Sequence, residues 1–155
     1  MIKSILNKDN YPWYKFYGEV PHHLDYFEGS MTEYIMETAL KYPNIYAISY
    51  YNNKITYREF IDKITECAKS LKTIGVKEGD IVSICMPNTP SALYMFYAVN
   101  LVGAISNMIH PLSSEKEIEM YLNKTNSKVI MTIDINYKKV INIIIKSLED
   151  SWNTI

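Results

Sequence analysis

The chain has 155 residues, enough for one domain with a buried core. Its 16 basic and 17 acidic residues give a formal net charge of −1, and because no stretch concentrates the basic ones, nucleic acid is a poor candidate partner. The two cysteines exclude a framework of several disulfides, so we expect a reducing, cytoplasmic compartment.

The first 29 residues are rich in aromatic side chains but follow no helix or strand period. They predict an irregular N-terminal arm (1–29) that precedes an α/β subdomain (30–155). The beginning of the chain lacks the apolar run of a secretory signal. His22 and His23 are adjacent, so their side chains diverge in an extended arm and do not form a zinc pair.

Helix starts are well marked in the sequence. Capping boxes, with a hydroxyl at the N-cap and a carboxylate three residues later, begin at Ser30, Thr56 and Ser114. Thr89 followed by Pro90 predicts a fourth start, since proline at the first helical position loses no hydrogen bond.

Apolar spacing predicts the buried faces of these helices. The helix after Ser30 is expected to bury Tyr34, Ile35, Thr38, Ala39 and Tyr42, and to stop before Pro43. The helix after Thr56 is expected to bury Tyr57, Phe60, Ile61, Ile64, Cys67, Ala68 and Leu71. Gly75 then offers the positive φ that ends a helix.

Strand signals fall between the helices. Residues 46–57 predict a hairpin that turns at Asn52-Asn53. Residues 81–86 form a continuous apolar run, typical of a central parallel strand, and 104–109 and 128–133 predict two more strands. The last helix is expected to bury Val140, Ile143, Ile144 and Leu148. This alternation predicts the α/β class, a mostly parallel sheet with helices on both faces.

Residues 91–109 carry no formal charge and are long enough to cross a bilayer. Against a membrane span, Asn100, Ser106 and Asn107 are polar, and Gly103 interrupts the run. A buried helix followed by a buried strand explains the same residues without placing amides in lipid.

Motifs for catalysis are missing. The five glycines fit no phosphate-binding loop and no nucleophile elbow occurs. The turn 86–90 could hold an anion at a helix start, although a rigid capped turn explains it as well. His110 follows a predicted strand, at the edge where ligands bind, but it also fits a loop residue bonded to the backbone. Asp134 follows a predicted strand, as a phospho-acceptor aspartate would, but the sequence lacks the acidic cluster that such a site needs after its first strand. We assign no catalytic, cofactor-binding or metal-binding residue.

The order of signals nevertheless resembles the amino-terminal part of the AMP-forming adenylate ligases, the acyl-CoA synthetase superfamily. The matching segments are "ITYREF", "AKSLKTIGVKEGDIVSICMPNTP", "AVNLVGAI" and "HPLSSEKEIEMYLNKTNSKVIMT". The preceding "VPHHLDYFEGSMTEYIMETALKYPNIYAI" resembles the arm of the medium- and long-chain fatty acyl branch. The similarity spans about Gly18 to Asp134. One departure is His110, where many relatives carry asparagine.

The resemblance implies the N-terminal subdomain of a ligase that transfers AMP from ATP to a carboxylate and then forms a thioester with CoA. ATP, Mg²⁺ and CoA are implied for the complete enzyme. The family's phosphate loop, adenine site and lid lysine lie downstream of the matched region and do not occur here. We therefore expect an N-terminal fragment without activity of its own. An acetyl-branch relative uses the loop after the second parallel strand near CoA, but "HPLSS" lacks that branch's glycines.

The resemblance also implies partners: the remainder of the ligase domain and, in the complete enzyme, a carboxylic acid of the fatty type. A fragment missing its neighbour would expose an apolar surface and could dimerise. A stand-alone flavodoxin-like binding module is the alternative, and a membrane-associated protein that uses the aromatic arm is a third class.

Overall fold

The computed structural model describes residues 11–152, with side chains described through residue 144. Its helices and strands follow the predicted order, and the arm contains one 3₁₀ turn at Tyr14–Phe16. The elements are α1 Met31–Lys41, β1 Tyr46–Tyr50, β2 Asn53–Thr56, α2 Tyr57–Thr73, β3 Ile81–Cys85, α3 Pro90–Val102, β4 Ile105–Met108, α4 Glu115–Thr125, β5 Val129–Thr132 and α5 Asp134–Trp152.

A three-stranded parallel sheet of order β4-β3-β5 forms the centre of the fold. Val82 of β3 lies opposite Ser106 of β4 and Val129 of β5. The apolar run 81–86 is therefore the central strand, as predicted. Strands β1 and β2 form a separate antiparallel hairpin.

Helices cover both faces of the sheet, which confirms the predicted fold class. Val82 and Ile84 point to one face and pack in a cluster with α2 and α3. Cys85 belongs to a second cluster, with Ile118 of α4 and Ile143 of α5. Successive strand residues point to opposite faces, so a strand buried on both sides must be apolar almost throughout.

The predicted helix starts are all present. The three capping boxes at Ser30, Thr56 and Ser114 are closed by both of their hydrogen bonds. Thr89 caps α3, with Pro90 as the first helical residue. Gly75, at φ +88°, ends α2 in the left-handed conformation that glycine adopts without strain.

The hairpin turn lies one residue earlier than predicted. Asn53 already pairs with Tyr50 in the β1–β2 ladder, so the two loop residues are Tyr51 and Asn52. Tyr51 rather than an asparagine takes the positive φ, at +51°. The pairing register of the two strands therefore determines where the turn lies, and it outweighs the preference of asparagine for positive φ.

Two predicted helix faces were partly wrong. Tyr34 of α1 and Tyr42, which follows its last residue, are 59% and 53% exposed, whereas Thr32 is fully buried. Relative to the predicted face, α1 is rotated about its axis so that Thr32 faces α3, to which it is directly hydrogen-bonded. In α5, Val140 and Ile143 are buried as predicted but Ile144, on the outer side, is 44% exposed. The side chain of Leu148 lies outside the described residues.

Within residues 11–152, none of the helices combines the length and the apolar character needed to cross a bilayer. Part of the uncharged run 91–109 forms the 13-residue helix α3, in which Ala98 and Val99 are fully buried. The run is thus a helix followed by a strand, as predicted, but the strand is not buried as expected, because β4 lies at the edge of the sheet with Ile105 and Met108 54% and 55% exposed.

Candidate functional site

The carboxyl ends of β3, β4 and β5 meet at one edge of the sheet and border a cleft of about 650 Å³, here called the carboxyl-edge cleft. The chain runs from β3 to β4 on one side and then returns to β5 on the other. Ligands of open α/β sheets bind at such a reversal of strand order. The cleft is lined by Pro87, Asn88, His110, Pro111, Leu112, Ile133, Ile135, Asn136 and Lys139.

The turn after β3 is a rigid, capped helix start. The Thr89 hydroxyl accepts the N–H of Ala92 at 3.3 Å, and the Thr89 carbonyl accepts the N–H of Leu93 at 3.3 Å. Pro90 has no N–H to offer. Because these groups are used or missing, the first turn of α3 has few donors for an anion. Asn88, which precedes this turn, lines the cleft.

His110 begins the loop after β4, and its ring is tied to that loop. Its Nδ1 accepts the N–H of Leu112 at 3.2 Å, while its carbonyl accepts the N–H of Ser113 at 3.0 Å. The sequence left open whether His110 is a ligand or a loop residue bonded to the backbone, and this geometry matches the second. A neutral ring whose Nδ1 accepts a hydrogen bond carries its proton on Nε2, which remains a donor.

Asn136 is a site residue that the sequence analysis missed. It is 3% exposed, and its Nδ2 donates to the Pro111 carbonyl at 2.9 Å. One turn further along α5, Lys139 Nζ donates to the Ser113 carbonyl at 3.5 Å. These two bonds fasten the β4–α4 loop to α5. Helical spacing could have predicted its burial, because Asn136 lies four residues before Val140 and so on the same buried face of α5.

The cysteines do not provide a nucleophile. Burial raises the pKa of the Cys85 thiol, which lies 3.7 Å from the His110 carbonyl. Burial likewise raises the pKa of Cys67 on α2. A thiolate is the reactive form of cysteine, so both residues are poor nucleophiles at neutral pH. Across the described part of the chain, no group of three or more His, Cys, Asp or Glu residues could hold a metal ion.

Other candidate residues have structural roles. His22 stacks on Tyr14, with ring centroids 4.0 Å apart. Glu117 closes the capping box of α4, and hydrogen bonds from the backbone and then the side chain of Ser114 lower its pKa. Asp134 is the first residue of α5.

Comparison with known proteins identifies the family. The sequence profile described as AMP-binding enzyme matches residues 35–153. The chain belongs to this family. The Bacillus subtilis long-chain-fatty-acid–CoA ligase is 29% identical over 140 residues, 90% of this chain and 25% of its own length. An acetyl-coenzyme A synthetase of Penicillium chrysogenum is 32% identical over 126 residues, 72% of this chain and 19% of its own length.

Solved structures of adenylate-forming ligases share the fold. The N-terminal domain of FACL13 from Mycobacterium tuberculosis superposes with a TM-score of 0.71 at 21% identity, over 74% of this chain and 30% of that one. The N-terminal subdomain of Klebsiella oxytoca NpsA gives 0.67 at 23% identity, over 70% of this chain and 28% of that one. The chain thus spans about a quarter of the length of the proteins that it matches.

Proposed function

We propose that this chain forms the N-terminal subdomain of an AMP-forming acid–thiol ligase that activates a fatty acid with ATP and transfers the acyl group to CoA. The observation that carries the proposal is the family match over 35–153, joined with a fold of the same N-terminal type. The fatty substrate is supported by the Bacillus subtilis long-chain ligase, whose similarity includes most of this chain.

The chemistry of such a ligase makes a poor electrophile reactive. A carboxylate attacks the α-phosphate of ATP and pyrophosphate leaves; a thiol then attacks the acyl carbonyl of the resulting acyl-adenylate, forming the thioester as AMP leaves. Holding ATP and Mg²⁺ requires a glycine-rich phosphate loop and carboxylate ligands. The sequence has no such loop, and the described residues include no metal-binding cluster. The chain does not fit ATP or Mg²⁺ by itself, and we propose that it has no catalytic activity alone.

The carboxyl-edge cleft is the part of the chain that fits a role near CoA. Lys139 supplies a cationic group, and Asn88 and the Nε2 of His110 supply donors of the kind that bind phosphate and amide oxygens. The loop that carries His110 is held in place by Asn136 and Lys139, so its geometry is set before any ligand arrives.

The edges of the sheet offer attachment sites for the remainder of the ligase domain. Strands β4 and β5 each pair only with β3 among residues 11–152, so their outer edges are open. Ile105 and Met108 of β4 are 54% and 55% exposed. Open apolar edges favour pairing with further chain. The free thiols of Cys67 and Cys85 fit the reducing cytoplasm that we propose as its location.

ATP–pyrophosphate exchange tests the proposal. The 155-residue chain should show no fatty-acid-dependent exchange, whereas the same chain continued through its reading frame should show it. In the active protein, His110→Ala should raise the KM for CoA more than the KM for ATP. A longer chain without acid-dependent exchange would contradict the ligase function, and an unchanged KM for CoA would contradict the role of His110. A stand-alone flavodoxin-like module would show exchange in neither form.

A further inference from the structure

A second cleft, of about 520 Å³, lies between the arm and α1 and shares no residue with the carboxyl-edge cleft. Its volume lies in the range of small-molecule sites. We call it the aromatic cleft. Five aromatic residues and one carboxylate account for most of its lining: Tyr26, Phe27, Tyr34, Tyr57, Tyr97 and Asp25.

The aromatic wall has a defined shape. Phe27 packs edge-on against Tyr34, with centroids 5.4 Å apart and planes at 62°. The Phe27 ring lies so close to the backbone of Gly29 that a Cβ there would overlap Phe27 Cε1. Glycine at position 29 therefore lets the ring take its place at the cleft.

The charge around the cleft is negative. Between Lys15 and Lys41 the sequence has five carboxylates and no lysine or arginine. Lys41 itself is bound by Glu37 at 2.7 Å. Asp25 lines the cleft, and none of the ion pairs among the described residues includes it. Among the described residues that line the cleft, a cation thus meets a carboxylate and no competing positive side chain.

The start of α1 also borders the cleft, and a helix N-terminus would ordinarily attract an anion. Here two of its donors are occupied. The N–H of Thr32 donates to Asn100 Oδ1 at 3.1 Å, and the N–H of Glu33 donates to Ser30 Oγ at 3.2 Å. The Glu33 carboxylate in turn accepts the Ser30 N–H at 2.6 Å. The Glu33 carboxylate already supplies the negative charge that this helix N-terminus attracts, so the cleft favours a cation.

We propose that the aromatic cleft binds a small organic cation, an ammonium group on a compact apolar body. The ring faces of tyrosine and phenylalanine attract such a group, and Asp25 supplies the opposite charge. The site goes beyond the proposed ligase function, because no step of that chemistry needs it.

Choline and its uncharged analogue 3,3-dimethylbutan-1-ol test the proposal on the 155-residue chain, since the two differ mainly in charge. Amide chemical shifts from an NMR titration give both affinities, and a dispersed spectrum shows that the chain is folded. We expect saturable choline binding with shifts concentrated at residues 25–34, and an affinity for the alcohol at least about tenfold lower. Equal affinities, or no saturation with choline, would overturn the proposal.

Variants locate the site. Asp25→Asn, an exposed change that leaves packing intact, should weaken choline binding at least about threefold and leave the alcohol unaffected. Gly29→Ala should displace Phe27 and weaken choline binding without changing any charge. Asp62→Asn, which removes an exposed carboxylate on α2 outside the cleft, is the matched control and should change neither affinity. If Asp62→Asn weakened choline binding as much as Asp25→Asn does, the effect would come from the net charge of the chain. That outcome would overturn the assignment of the site to the aromatic cleft.

Discussion

The backbone N–H of Thr32 donates to Asn100 Oδ1 at 3.1 Å, across 68 positions of sequence. The Thr32 hydroxyl donates to the Tyr97 carbonyl at 3.0 Å. Thr32 is fully buried, so neither group has water as an alternative partner. These two bonds dock the first turn of α1 on α3 and set the rotation of α1.

Asn100→Ala should destabilise the chain by about 1–3 kcal/mol, because it leaves the buried N–H of Thr32 without a partner. Urea unfolding followed by circular dichroism measures the change. Asn123→Ala, on the exposed side of α4, is the matched control and should stay within about 0.5 kcal/mol of the parent. Equal losses for the two variants would show that the bond to Thr32 contributes nothing.

Local signals in the sequence predicted much of the fold. The boxes at Ser30, Thr56 and Ser114 depend on residues three apart, so the sequence alone determines where those helices begin. The Thr32–Asn100 bond joins distant segments, and only the packed structure shows it. The same holds for Asn136, whose partner is the carbonyl of Pro111.

Ser83 shows another limit of pattern analysis. The sequence analysis treated 81–86 as an apolar run, yet Ser83 is fully buried and takes part in a polar cluster. Its Oγ lies 2.7 Å from Ser127 Oγ and accepts from Asn107 Nδ2 at 2.8 Å. The sequence marked Asn107 only as polar, and it did not predict a cluster with Ser127, because both residues pair with Ser83 across more than 20 positions of sequence.

Glycine at position 103 should be required more strictly than at position 75. Both residues have positive φ, +81° and +88°, so alanine at either costs about 1–2 kcal/mol. A Cβ at Gly103 would also lie 3.0 Å from Glu78 Cγ, whereas the space at Gly75 is open. Gly103→Ala should therefore lower the free energy of unfolding further than Gly75→Ala does. In a Glu78→Ala background the difference should disappear; its persistence would mean that the Glu78 contact is not the cause.

Asp80 makes stability depend on pH at the acid end. Its carboxylate accepts from Lys128 Nζ at 2.8 Å and from the Lys77 N–H at 2.7 Å, and these bonds, that of Lys128 first, lower its pKa. A depressed folded-state pKa gives stability that is present above the unfolded pKa of about 3.9 and is lost as pH falls through the folded value.

The free energy of unfolding, measured between about pH 2 and pH 7, should therefore fall less steeply below about pH 4 in Asp80→Asn than in the parent. Asp62→Asn, on the exposed side of α2, should keep the parent's slope. If the free energy of unfolding of Asp80→Asn fell as steeply with decreasing pH as that of the parent, Asp80 would not be the cause. The loss of stability in acid would then come from other carboxylates.

The open edge of β4 should make the isolated chain self-associate. Ile105 and Met108 are both more than half exposed there. The double variant Ile105→Lys/Met108→Lys should shift the chain toward monomer, since lysine on an edge strand opposes pairing. Light scattering coupled to size-exclusion chromatography measures the mass. A parent that is monomeric at about 100 μM would contradict this use of the edge.

We propose that this chain is a scaffold, with the fold of the N-terminal subdomain of an adenylate-forming ligase but without residues that hold the nucleotide themselves. Calorimetric titration of the folded 155-residue chain with Mg·ATP tests it most directly. We predict no saturable heat up to about 1 mM ATP, a concentration that would detect any site of ordinary enzyme affinity. Stoichiometric binding with a dissociation constant in the micromolar range would contradict the claim.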